Sequence, residues 1–113
     1  MKLHPVCGEG AKEEAPVAAD RVTEGSPRTV SRLDYQQDEK VFAGEWSATA
    51  GAWRVSYDEW EFCHVLEGVC ELETSDGEAR RFKAGDSFII EPGFVGVWRV
   101  IEPMKKRFVV RYD

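Results

Sequence analysis

Apolar and polar residues alternate along most of this chain, with a period of two. Trp53, Val55 and Tyr57 take turns with Arg54 and Ser56, the pattern of a strand with one buried face. Val41 to Trp46 keeps nearly the same spacing before Gly51 breaks the run. Further strands are predicted over Glu61 to Glu67, Val69 to Thr74, Glu78 to Lys83, Ser87 to Glu91, Val97 to Ile101 and Arg107 to Tyr112. Turn residues punctuate them. Asp58-Glu59, Ser75-Asp76-Gly77, Ala84-Gly85-Asp86 and Pro92-Gly93 each sit between two runs. Roughly nine short strands with turn signals every 8–12 residues predict an all-β sandwich or barrel and exclude βαβ units. No helix of ordinary length fits after residue 25.

The first 25 residues follow a different grammar. Glu9 to Asp20 is rich in Ala and Glu, contains Pro16 and lacks aromatics. Residues 1–25 therefore read as a flexible N-terminal arm, either disordered or free to add a strand to a partner, and 26–113 as the folded domain.

Composition narrows the function. The chain has 113 residues, enough for one domain with one core. Fifteen Lys and Arg against 21 Asp and Glu give a formal charge of -6, which argues against a nucleic-acid partner. No run approaches the ~18 apolar residues of a membrane span. The opening residues lack the apolar centre of a secretory signal, so a cytoplasmic protein is expected. Cys7, Cys63 and Cys70 are an odd set without a Cys-x-x-Cys pair and read as reduced thiols. Histidine, the commonest metal ligand and acid-base group, occurs only as His4 and His64.

Two blocks carry more specific information. Glu61 and Gly68, with six residues between them, frame a segment ending Val65-Leu66-Glu67-Gly68; Ala84-Gly85-Asp86-Ser87-Phe88-Ile89-Ile90-Glu91-Pro92-Gly93 follows about twenty residues later. This pair resembles the two motifs of the cupin superfamily, over residues 26–113. Ala43-Gly44-Glu45-Trp46, the run from Gly51 to Tyr57, Glu61-Phe62-Cys63 and Gly93 to Trp98 followed by Lys105-Lys106 look like the small single-domain cupins related to ureidoglycine aminohydrolase. The ethanolamine-utilisation cupin belongs to the same group. The resemblance implies an RmlC-like jelly-roll β-sandwich or barrel and a homodimer.

It also implies where a metal would sit. The three histidine positions of metal-binding cupins fall on Val55, Tyr57 and Gly96, and the glutamate position on Glu61. One of four ligands is retained, and a carboxylate beside a phenol would hold a divalent metal weakly and unselectively. No tight metal and no other cofactor is therefore expected. His64 cannot substitute, because three residues along a strand place it on the face opposite Glu61.

The pleat puts Trp53, Val55, Tyr57, Glu61 and Cys63 on the inner side, facing Gly96 and Trp98. Two readings stay open. Either the aromatics fill the core and Glu61 is satisfied internally, or Trp53, Tyr57, Glu61, Cys63 and Trp98 line a pocket for a small polar metabolite. An enzyme of the ureidoglycine aminohydrolase type would use Glu61 and Tyr57 as acid-base groups. A third possibility is an interaction subunit. Phe62, His64 and Leu66 form an outer stripe suited to a dimer contact. The Lys105-Lys106-Arg107 run reads as a solvated turn.

Overall fold

The computed structural model describes residues 2–6, 8 and 10–113; Cys7 lies outside them. Nine strands are formed: β1 (Lys12–Pro16), β2 (Val22–Gly25), β3 (Arg28–Gln37), β4 (Val41–Ala48), β5 (Gly51–Ser56), β6 (Trp60–Thr74), β7 (Ala79–Lys83), β8 (Ser87–Ile90) and β9 (Val95–Arg111). There is no helix among the described residues, and so none long and apolar enough to cross a membrane.

The two long strands organise everything else. The C-terminal half of β9 pairs with β4, and its N-terminal half pairs with β5. Along its other edge β9 pairs with the whole of β6, whose first half takes β8 and whose second half takes β7. All these pairings are antiparallel. One half of the barrel thus reads β1-β3-β4-β9-β6-β8 and the other β2-β5-β9-β6-β7. The same two strands cross from one half to the other by bending. This is the jelly-roll arrangement the sequence predicts.

Four predicted strands are therefore two. Glu61 to Glu67 continues through Gly68 into Val69 to Thr74, and Val97 to Ile101 runs through Pro103 into Arg107 to Tyr112. Gly68 and Pro103 mark bends rather than chain reversals. The β6–β9 register slips repeatedly between Val65 and Cys70, as at a bulge. Gly68 has φ +84, and its Cα approaches β9 so closely that an added Cβ would lie 2.2 Å from the Pro103 carbonyl oxygen. The slip also changes pleat parity. Glu61, Cys63 and Val65 point inward before it, Cys70 and Leu72 after it.

The N-terminal segment is more ordered than its composition suggests. β1 pairs with β3 and β2 with β5, both within the same chain. Every residue of β1 is exposed, so backbone pairing rather than burial makes it a strand. The link Val17 to Arg21 thus runs from the edge of one barrel half to the edge of the other, and Val17 N–H donates to the Pro27 carbonyl. Upstream, the buried Arg32 guanidinium bonds Asp34 (3.0 Å) and Glu45 (2.8 Å), and Asp34 accepts from Gly10 N–H. That network ties the start of the chain to β3 and β4. The Arg32 hydrogen bond also holds the Asp34 carboxyl below its usual range.

Candidate functional site

The centre of the barrel holds a charge that the sequence reading placed in solvent. Lys106 is 4% exposed and points inward from β9, where it alternates with Lys105 and Arg107 on the outer face. The solvated-turn expectation fails because Lys105 to Arg107 lies inside a strand, and the pleat separates adjacent side chains by face. Lys106 Nζ lies 2.7 Å from Glu61 Oε2 and 3.3 Å from Cys63 Sγ, while the Cys63 thiol donates to Glu61 Oε2 at 3.2 Å. The ammonium also sits 4.4 Å from the Trp98 ring centroid and 4.8 Å from that of Trp46. The cation that Glu61 needs is thus supplied by the chain itself.

Burial sets the chemistry of these groups. Desolvation works against the Lys106 charge, but the Glu61 carboxylate at 2.7 Å outweighs that loss and holds its pKa above the ordinary lysine value. The Tyr57 hydroxyl is pushed far above the phenol range, chiefly by burial. Burial likewise pushes the Cys63 thiol up to about 12 and Cys70 to about 11. Both cysteines are packed and unbridged, as expected of small hydrophobes.

The raised thiols give stability a definite pH slope. Above the ordinary thiol value of 9.0, the unfolded chain loses protons that the folded chain keeps. Their contribution is complete below about pH 9 and disappears as pH rises towards 11–12. Urea unfolding at pH 8.5 and 10.5 should show a loss of about 1–2 kcal/mol per thiol. The Cys63→Ala/Cys70→Ala variant should show a shallower slope; an unchanged slope would remove the thiols as its cause.

Above the ion pair lies a cavity of ≈ 970 Å³. Trp46, Trp53, Trp98 and Tyr57 form its aromatic walls, and Glu61 and Lys106 its charged floor. Of the five residues expected to line a pocket, Trp53, Tyr57, Glu61 and Trp98 do so. Cys63 is wholly buried behind Glu61 and does not reach the cavity. Trp46, Lys106 and the link Val17 to Arg21 are additions that the sequence reading did not include. His64 lies off the site, its Nδ1 2.7 Å from Ser87 Oγ on β8.

The positions of an implied metal site are also in place. Val55 and Gly96 are direct cross-strand partners on β5 and β9, as two converging ligands would be. A Cβ at Gly96 would meet the Glu73 carbonyl oxygen at 2.0 Å, however, so a side chain there requires movement of β6. With Val55, Tyr57 and Gly96 at three positions and an ammonium on the fourth, the donor set does not fit a transition metal.

Comparison with known proteins agrees with this architecture. No curated protein matches the chain. Among solved structures, a protein of unknown function from Pseudomonas syringae pv. tomato superimposes with TM-score 0.80 at 16% identity, covering 90% of this chain and 45% of that one. The chain thus spans less than half the length of that relative. The putative ethanolamine utilization protein Q of Salmonella typhimurium gives 0.67 at 16% identity, over 92% of this chain and 98% of its own. A DUF861 family protein from Thermotoga maritima is 31% identical over 57% of this chain and 73% of its own, with TM-score 0.55. The sequence model described as EutQ-like cupin domain matches residues 35–108. The chain belongs to the EutQ-like cupin family.

Proposed function

We propose that this chain is a small-molecule-binding cupin whose ligand occupies the aromatic cavity, with Lys106 standing where a metal would otherwise balance Glu61. The observation that carries this reading is the ≈ 970 Å³ cavity, walled by three indoles and a phenol over a closed ion pair. An aromatic-walled, open cleft with a few fixed polar groups suits an organic ligand. Lys106 replaces the cationic ligand that an unpaired Glu61 would have called for.

Binding is favoured over hydrolysis of a ureido or amino compound. That chemistry asks Glu61 and Tyr57 to move protons. Here Glu61 Oε2 is committed to Lys106 and Cys63, and burial keeps the Tyr57 phenol protonated.

Two measurements test the proposal. Elemental analysis of untagged protein should give no stoichiometric transition metal. A panel of small polar and aromatic metabolites should include members that quench tryptophan emission, and Val55→Trp, which fills the cavity, should abolish the response. A stoichiometric metal, or quenching that survives Val55→Trp, overturns it.

A further inference from the structure

The cavity is more positive than the protein that contains it. Its lining includes Arg21, Arg54 and Lys106 against Glu59 and Glu61, three basic groups against two acidic, in a chain of formal charge -6. The charges are also layered. At the floor Lys106 and Glu61 cancel, so a ligand charge buried there would have no counter-charge and would carry its full desolvation cost. At the rim Glu59 is occupied, accepting from Asp58 N–H and from the Tyr112 hydroxyl. The two arginines outnumber it and form no ion pair among the described residues.

Most arginines of this chain have a carboxylate. Arg28, Arg32, Arg80, Arg81, Arg99 and Arg111 each form an ion pair. Among the described residues Arg21, Arg54 and Arg107 have none. Arg107 is on the outer face, bonded to the Val6 carbonyl. Arg21 and Arg54 line the cavity. Among the described residues their guanidiniums bond main-chain carbonyls alone: Arg21 Nε to Arg54 at 3.2 Å, and Arg54 Nη2 to Asp20. These bonds anchor both arginines at the link between β1 and β2 and leave further N–H donors on each guanidinium. A guanidinium with spare N–H groups pairs best with a planar or tetrahedral oxyanion.

We infer that the ligand is an organic anion: an oxyanion group, carboxylate or phosphate, held at the mouth by Arg21 and Arg54, on an uncharged aromatic body that enters between the indoles. The inference rests on the binding reading above and adds the charge and orientation of the ligand to it. A cationic group at the mouth is disfavoured by the two guanidiniums, and a charge on the buried body by the closed ion pair, which offers it no partner.

Calorimetric titration with phenylacetate, phenylacetamide and phenethylamine tests this. The three share one ring and differ in carrying a negative, zero or positive charge. Wild-type protein should bind phenylacetate about tenfold more tightly than phenylacetamide and phenethylamine least. Arg21→Gln/Arg54→Gln, at exposed positions, should lose the preference and bind phenylacetate no more tightly than phenylacetamide. Equal binding of the acid and the amide by wild type, or a preference that survives the double substitution, overturns the anion assignment while leaving the cavity a binding site. Binding of none of the three, with no response to the metabolite panel, overturns both.

Discussion

Lys106→Met should destabilise the fold by about 3–5 kcal/mol, the cost of removing one partner from a buried ion pair. Methionine keeps most of the length and volume of the side chain, so packing against Trp46 and Trp98 is largely preserved. The charge is lost. Glu61, 6% exposed, then faces two indoles and the Cys63 thiol with no cation within reach. Urea unfolding gives the number, and Lys105→Met provides the control. Lys105 is half-exposed and 3.5 Å from Glu67, a surface pair whose loss is expected to cost no more than about 1 kcal/mol. The double variant Lys106→Met/Glu61→Gln should recover much of the loss, because it removes the orphaned charge as well. The resulting cycle measures the coupling directly. A Lys106→Met loss as small as the Lys105→Met loss would mean that the pair is not desolvated as described.

Why this pair was only half legible follows from how charge is read in a sequence. Glu61, Tyr57, Trp53 and Trp98 could be placed because period-two spacing and the cupin motifs fix the inner face of β5, β6 and β9. Lys106 sits between two other basic residues, and three adjacent charges suggest water. Yet Met104, Lys106, Phe108 and Val110 recur at every second position. Extending the inward alternation of Trp98 and Val100 through Pro103 reaches the same side chains. Reading Lys105 to Arg107 as a solvated turn breaks the count and hides the lysine. Arg54 was likewise visible only as the outward neighbour of Trp53. Its place at the cavity mouth depends on the carbonyl of Asp20 in the N-terminal link, a tertiary contact that no local pattern encodes.

The strands divide in the same way. Ser75-Asp76-Gly77 and Ala84-Gly85-Asp86 turn as predicted, with Gly77 and Gly85 at positive φ. β3 escaped notice because Arg28 to Gln37 is mostly polar, and a bulge between Leu33 and Tyr35 interrupts its alternation. β1 has no buried residue at all, so no hydrophobic signal could announce it. Both strands exist because a neighbour offers an open edge. Edge pairing is a property of the assembled sheet, not of the segment.

Gly68→Ala should destabilise the protein by roughly 3 kcal/mol or more, although it adds a single methyl group. Two costs combine at this position. A Cβ at φ +84 meets the left-handed penalty of ~1–2 kcal/mol. It would also lie 2.2 Å from the Pro103 oxygen and 2.6 Å from the Met104 Cα. Both are backbone atoms, so relief requires moving β9 away from β6 at the bend both halves of the barrel share. Overpacking of this kind typically adds about 1–3 kcal/mol. Gly77→Ala separates the two costs, because Gly77 has φ +92 but nothing within 4 Å of an added Cβ. It should lose only the backbone term. The shift at the bend should reach the cavity as well, since Lys106 lies two residues from Met104 on the moving strand. Gly68→Ala is therefore expected to weaken the fluorescence response to cavity ligands, and Gly77→Ala to leave it intact. Equal losses of stability in the two variants would show that the close approach of Gly68 to Pro103 does not hold the bend.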